Sequence, residues 1–284
     1  MIQSLIQPWL TANGFGEIVA TQALGGGCIN NVTRLTFDGG ASLILKHQSQ
    51  PPDGLFQAEA AGLSALAASD SLRVASSIAA HSDFLLLEDL GQGSPKQNFW
   101  QQFGAGLAAI HSKRESHFGF TVNTYCGSTV QDNSRTENGF DFFSHQRLLP
   151  VARSCHASGL LSAQDMKRLD RVCEQLPRWI PEQPPVLIHG DLWTGNMHCD
   201  GEGQPALIDP AACWGWAEAE LAMTTLFGRC PEEFYASYLE NSHLDPHWEE
   251  RAFIYNLYHL LNHLKLFGRS YLSAVRRTLA RLGP

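Results

Sequence analysis

The stretch that decides the reading is His189-Gly190-Asp191-Leu192-Trp193-Thr194-Gly195-Asn196, followed by Ile208-Asp209-Pro210. An Asp, an Asn five residues on and a second Asp thirteen beyond that form the polar skeleton of a phosphoryl-transfer site. In such a site one carboxylate, here Asp191, orients and deprotonates a hydroxyl. The amide oxygen of Asn196 and the carboxylate of Asp209 hold Mg2+ against the phosphates of ATP. The spacing has a physical reason: a short loop brings Asp191 and Asn196 to one side of a cleft, and a β-hairpin returns Asp209 beside them. Val186-Leu187-Ile188 and Ala206-Leu207-Ile208 predict short buried strands ahead of the loop and of Asp209. Asp, Gly and Asn are also common turn residues, so a lone Asp-Gly pair would read as an acidic turn. The whole constellation favours chemistry.

Upstream lies the other half of such a site. Gly25-Gly26-Gly27-Cys28-Ile29-Asn30 sits between two strand patterns, and glycines let backbone N–H groups approach phosphate oxygens with no Cβ in the way. Three glycines alone also suit a hairpin turn. Lys46, at the end of the strand Ser42-Leu43-Ile44-Leu45-Lys46, is placed to reach the α- and β-phosphates. Glu59, on the helix that follows, is placed to pair with that ammonium. Leu85 to Leu90 reads as a strand running into a hinge between lobes. There the Glu88 carbonyl and the Leu90 N–H are the candidates to read an adenine edge, with no chemistry assigned to the Glu88 side chain.

The periodicity predicts an α+β molecule of two lobes. Residues 1–13 read as an amphipathic helix with Ile2, Leu5, Ile6 and Trp9 on one side. Residues 15–47 read as β, 55–69 as a long helix, and 74–80 and 84–88 as strands. That is a β-rich ATP-binding lobe over 1–90. The run Gly91-Gln92-Gly93-Ser94-Pro95 has linker composition. A mostly helical lobe follows over 91–284, with helices expected at 99–110, 138–150, 162–176, 217–226, 231–240 and 246–282. The loop and hairpin at 186–209 interrupt them.

Global properties exclude several classes. A formal charge of −8 argues against nucleic acid as the main partner. No apolar run is long enough to span a membrane, and the first residues lack the basic and apolar regions of a signal peptide. Seven Cys occur at 28, 126, 155, 173, 199, 213 and 230 with no CxxC pair or zinc spacing, which suggests reduced thiols in a cytoplasm.

The chain resembles the fructosamine/ketosamine-3-kinase family, within the aminoglycoside-phosphotransferase-like kinases of protein-kinase-like fold. The matching residues run in order along nearly the whole chain. They are Gly-Gly-Gly-Cys-Ile at 25–29, Lys46, the helix start Phe56–Glu59, Leu-Ala-Ala-Ile-His at 107–111, Phe118-Gly119-Phe120 and Cys126-Gly127. Asp141-Phe142-Phe143, Arg147-Leu148 and the 189–196 stretch continue the match. It ends with Ile-Asp-Pro-Ala at 208–211, Glu-Ala-Glu-Leu-Ala-Met at 218–223, Leu226-Phe227-Gly228, Asn262-His263 and Phe267-Gly268. Two departures stand out: Thr194 replaces the usual Ser and keeps the hydroxyl, and Val122-Asn123-Thr124 replaces an Asp-Asn pair of bacterial relatives.

The resemblance implies ATP-dependent phosphorylation of the 3-hydroxyl of a ketosamine, on a small amine or on glycated protein, after which the phosphate is lost and the amine is freed. Trp193, at the mouth of the cleft, then becomes a candidate to stack on the sugar or its amine, or else packs under the catalytic loop. His263 is a candidate substrate contact or a satisfied core residue. His189, Glu218 and Glu220 read as loop- or helix-bracing residues. Cys28 reads as a gap-filling thiol or as a redox switch that links a monomer into a disulfide dimer. Two rivals remain open: another small-molecule kinase acting on an aminoglycoside, choline or a sugar, and an inactive ATP-binding scaffold.

Overall fold

The computed structural model describes residues 2–25 and 31–283. Gly26, Gly27 and Cys28, expected in the phosphate loop, lie outside the described residues.

Alternation organises the N-terminal region. Helix α1 (Ile2–Ala12) is followed by β1 (Ile18–Leu24), β2 (Asn31–Phe37), β3 (Ser42–His47), α2 (Leu55–Ala67), β4 (Arg73–Val74), β5 (Ser77–Ala80) and β6 (Phe84–Glu88). Five strands form an antiparallel sheet in the order β1-β2-β3-β6-β5. Successive side chains of a strand point to opposite faces. Leu35, Phe37, Leu43, Leu45, Phe84 and Leu86 therefore share one face and bury Ile6 and Leu10 of α1. The alternate residues Ile44, Leu85 and Leu87 meet Phe56, Leu63 and Leu66 of α2 on the other face. Lys46 has the parity of Ile44, so the sheet delivers it to the α2 side, opposite Val32 and Leu85.

The strand expected over 74–80 is two strands. β4 leaves the sheet and pairs in parallel with β11 (Pro205–Leu207), which pairs in turn with β10 (Met197–Cys199). This small sheet joins the two regions of the molecule behind the Asp191 loop.

The rest is mainly helical. In chain order it comprises α3 (Phe99–His111), the hairpin β7 (Thr124–Cys126) and β8 (Thr129–Gln131), α4 (Gly139–Asp141), a π-helical segment (Phe142–Leu148), α5 (Leu149–Ala157) and α6 (Ala163–Gln175). After β9 (Val186–Ile188), β10 and β11 come β12 (Cys213–Gly215), α7 (Ala217–Met223), α8 (Glu232–Glu240), α9 (Ala252–Phe267) and α10 (Leu272–Arg281).

Two expected helices differ. The one predicted at 138–150 extends to Ala157 and passes through the π segment. A π turn places residues five apart on one face, and the Arg147 guanidinium accordingly lies 4.4 Å above the Phe142 ring. From there Arg147 donates to Asp132 O at 2.8 Å and to Asn133 Oδ1 at 2.6 Å, which anchors the hairpin carrying Cys126. The helix predicted over 246–282 is broken at Gly268, whose φ of 84° ends α9 and redirects the chain into α10. No helix among the described residues is long and apolar enough to cross a membrane.

Candidate active site

The Asp191 loop is held from behind. Gly190 has φ 83°, and a Cβ there would sit 2.2 Å from Ala211 O, so the turn admits only glycine. Glu220 of α7 is fully occupied: it accepts the N–H groups of His189 at 2.6 Å and Gly190 at 2.8 Å, and lies 3.2 Å from His111 Nε2. Burial acts to raise its pKa, but the His111 bond and the neighbouring histidines and amides hold it below the usual glutamate range. The His189 ring is buried and spans the loop, with Nε2 2.8 Å from Ile208 O and Nδ1 accepting from the Asp191 N–H at 3.3 Å. Burial lowers its pKa, so the ring is neutral. Glu218 braces the next layer, bound by Arg251 at 2.5 and 2.9 Å and by the Tyr255 hydroxyl at 2.8 Å.

In front of this brace Asn196 faces Asp191. The Asn196 amide nitrogen donates to Asp191 O at 2.8 Å and approaches the carboxylate at 3.4 Å, which turns Oδ1 away as the amide atom free for a cation. The Asp191 carboxyl is pushed up to about 7, by burial first and then by the charge of Asp209. Asp209 sits at φ 59°, a left-handed conformation rare for a non-glycine residue, directly before Pro210. Such strain costs on the order of 1–3 kcal/mol and persists where the surroundings enforce it.

The Asp209 side chain meets Lys46. Its buried ammonium lies 2.5 Å from Glu59 Oε1 and 2.5 Å from Asp209 Oδ1. Burial acts to lower the Lys46 pKa, and the two carboxylates outweigh it and hold the ammonium above the ordinary lysine range. For Glu59 the balance is reversed: burial, aided by Asp209, pushes it up against the pull of Lys46. One cation thus ties the sheet, helix α2 and the hairpin end of the catalytic stretch together.

In front of the brace lies one cleft of about 630 Å³. Lys46, Glu59, Asp191, Trp193, Asn196, Asp209 and His263 all line it. The Trp193 indole rests on Gly195, where a Cβ would be 2.3 Å from the ring, and also lines the cleft. The two readings of this residue are therefore compatible. His263 sits 4.4 Å from the Phe227 ring, 5.2 Å from Phe267 and 5.1 Å from Tyr271, centroid to centroid, and its Nδ1 is tied to His259 O at 2.9 Å. Burial lowers its pKa.

Other expected site residues lie elsewhere. Gly25 is exposed at the end of β1. Glu88 and Leu90 do not line this cleft. Glu88 pairs with Arg73 at 2.7 Å, and Leu90 packs with Ala75 and Ala206 while its carbonyl accepts from Gly201 at 2.8 Å. Sequence reasoning does not single out the wall formed by Thr124, Tyr125, Met223, Phe227, Leu266 and Tyr271. Gly127, with φ 66°, is the signal for the hairpin that presents Tyr125 and Cys126.

The chain matches the fructosamine kinase family model over residues 1–283. A protein assigned as a ketoamine kinase in Synechocystis sp. is 37% identical over 273 residues, covering 93% of this chain and 90% of that protein. The chloroplastic protein-ribulosamine 3-kinase of Oryza sativa subsp. indica is 32% identical over 280 residues, covering 95% and 80%. Among solved structures, a protein assigned as a fructosamine-3-kinase from Thermobifida fusca superposes with a TM-score of 0.90 at 30% identity, covering 99% of both chains. The α+β arrangement is that of the protein-kinase-like phosphotransferases. The chain belongs to the fructosamine kinase family, and is a phosphotransferase that uses ATP and acts on a substrate hydroxyl.

Proposed function

We propose that the protein phosphorylates the 3-hydroxyl of a ketosamine of the ribulosamine or fructosamine type, from which the phosphate is later lost and the amine released. The observation that carries this reading is the convergence of Lys46, Glu59, Asp191, Asn196 and Asp209 on one cleft whose wall also carries Tyr125, Trp193, Phe227, Phe267 and Tyr271. The name of the rice relative, a protein-ribulosamine 3-kinase, supports the substrate class.

In this reading Asp191 accepts the hydroxyl proton. A carboxyl at about 7 is matched to that task near neutral pH, since a general base works best with a pKa near the operating pH. Lys46 leaves Asp209 for the α- and β-phosphates and stays oriented by Glu59. The residues present fit a divalent cation: Asn196 Oδ1 and the Asp209 carboxylate are hard oxygen donors on the same side of the cleft. Mg2+ bound there would neutralise phosphate charge. Gly25, at the end of β1, is assigned to the phosphates, and the Glu88 carbonyl and Leu90 N–H to the adenine edge. Trp193 and His263 form the sugar-side wall. Phosphoryl transfer depends mainly on positioning and charge stabilisation, so these few groups suffice.

The test is ATP turnover with ribulosamine, erythrulosamine and fructosamine substrates, with phosphorus NMR locating the new ester. Ketosamine-dependent ADP release with phosphate on O3 is expected. Turnover with aminoglycosides, choline or free sugars alone would overturn the substrate assignment, and no turnover with any acceptor would favour the scaffold.

A further inference from the structure

The inner end of the cleft holds a donor set that phosphoryl transfer does not use. Cys126 ends β7, Asp191 lies on the catalytic loop and His259 is on α9. The thiol sulfur, a carboxylate oxygen and a ring nitrogen of the three lie within 4.8 Å of one another. No other such group of three occurs among the described residues. Cys126 and His259 are buried, while Cys126 and Asp191 line the cleft, so the set is closed by protein behind and open to the cleft in front.

Two further observations point to a ligand. His259 is 6% exposed, and its Nδ1 has no hydrogen-bond partner, an unmet demand in a buried side chain. Burial drives this imidazole down to about 3, which leaves it neutral, the form that binds metals. The thiol is also held in place. Asn262 donates to Cys126 O at 3.1 Å and to Sγ at 3.2 Å, and Arg147 anchors the far side of the same hairpin.

We propose that Cys126, Asp191 and His259 form an inhibitory site for a thiophilic divalent cation, Zn2+ being the type, with the fourth coordination position facing the cleft. Sulfur at about 2.3 Å and nitrogen and oxygen at about 2.0–2.2 Å from zinc place tetrahedral ligands roughly 3.3–3.7 Å apart. The three atoms, all within 4.8 Å of one another, are near that spacing. On binding, the Cys126 S–H bond breaks, a Zn–S bond forms, the proton leaves to solvent, and hydration waters are released. Thiolate and carboxylate together neutralise the dication, which matters in a buried place that also feels the Arg147 charge. Mg2+ is a hard ion that prefers oxygen ligands and is not drawn to a thiolate and an imidazole. The site therefore separates the two metals by chemistry. Inhibition follows because a carboxylate bound to zinc cannot take a hydroxyl proton. That consequence rests on the role proposed for Asp191, and the binding does not.

Co2+ serves as the spectroscopic probe and Zn2+ as the inhibitor, with the wild type, Cys126→Ala and His259→Gln. The wild type is expected to show a sulfur-to-cobalt charge-transfer band with the strong visible bands of a four-coordinate ion. Cys126→Ala is expected to lose the charge-transfer band, and His259→Gln to bind at least tenfold more weakly. Zinc inhibition of ATP turnover at excess MgATP, normalised to each protein's zinc-free rate, is expected to need at least tenfold more zinc in either variant. Should a variant not fold, zinc-edge X-ray absorption of the wild type carries the test: one sulfur among nitrogen and oxygen neighbours is expected, and a shell without sulfur overturns the site. An unchanged charge-transfer band in Cys126→Ala, or equal inhibition of all three proteins, also overturns it. Zinc bound with its sulfur while turnover continues overturns the inhibitory role. The cobalt and X-ray measurements need no substrate, so they decide the metal site even if the ketosamine assignment fails.

Discussion

Glu220 and Asp191 are carboxylates withdrawn from solvent on either side of one loop, and the fold treats them in opposite ways. Glu220 is surrounded by donors, two backbone N–H groups and a histidine ring, and is held ionised despite complete burial. Asp191 has Asn196 and the Cys126 thiol beside it and the negative charge of Asp209 against it, so its carboxyl is pushed up to about 7. With Glu59 added, three cleft carboxylates are set against the ammonium of Lys46. The brace is electrostatically complete. The cleft crowds these carboxyl groups around one ammonium, a crowding that a bound cation would relieve. A buried polar network that is fully satisfied rigidifies, whereas one left partly satisfied marks where ligands and chemistry enter.

The contrast breaks most visibly at Asp191→Asn. The variant should lose roughly 10³-fold or more in kcat, because an amide keeps the shape and cannot accept the proton. It should also be more stable than the wild type at pH 8. The folded pKa of about 7 lies above the ordinary 3.8, so ionising Asp191 opposes folding. That penalty is fully present above pH 7 and vanishes below pH 4, and its upper bound is about 4 kcal/mol. Urea unfolding at pH 8 and pH 4 checks the sign. More than a tenth of wild-type kcat, or no gain at pH 8, would refute the contrast.

Asp209→Ala tests the cationic side. Mg2+ dependence of ATP binding should weaken by on the order of 10²-fold, since a hard cation loses a charged oxygen ligand. Calorimetry with and without Mg2+ measures this, and an unchanged dependence would remove Asp209 from the metal site.

Glu220→Gln probes the brace from the other side. A carboxamide nitrogen would face the His189 or Gly190 N–H, leaving donors opposed in a buried place. Stability should fall by about 3 kcal/mol, the scale for breaking a buried charged network, and kcat by about tenfold as the loop loosens. Loss of kcat without loss of stability would mean that Glu220 takes part in the chemistry.

Trp193→Ala should have the smallest effect. KM for the ketosamine should rise several-fold with KM for ATP little changed, because the indole lines the cleft and is proposed to meet the sugar. Equal changes in both constants, or a drop in Tm alone, would assign the ring to packing.

Much of this is legible in the chain because it is local. The spacing of Asp191, Asn196 and Asp209 encodes a loop and a hairpin return. The apolar runs of β3 and β6 encode buried strands, while the side of the sheet that Lys46 faces follows from their pairing. The differences between expectation and structure have equally physical causes. Gly268 lies inside an otherwise helical pattern, and periodicity carries no sign of the positive φ that breaks the helix there. Val74 to Ala80 has a strand's composition, but β4 is drawn away to pair with β11, a partner more than a hundred residues distant that periodicity cannot see.

Residue types and periodicity along the chain are enough to set the kind of chemistry, the α+β layout and the candidate site residues. What surrounds that set came from the folding of distant segments onto it. Packing of α9 against the β7–β8 hairpin brings His259 and Asn262 to Cys126, and α7 turns Glu220 to the back of the loop. The same packing pushes Asp191 up to about 7 while Glu220 stays ionised. Both are acidic residues in apolar neighbourhoods of the chain. Their pKa values depend on how many donors and charges distant segments deliver within a few ångströms, a quantity that exists only once the chain has folded.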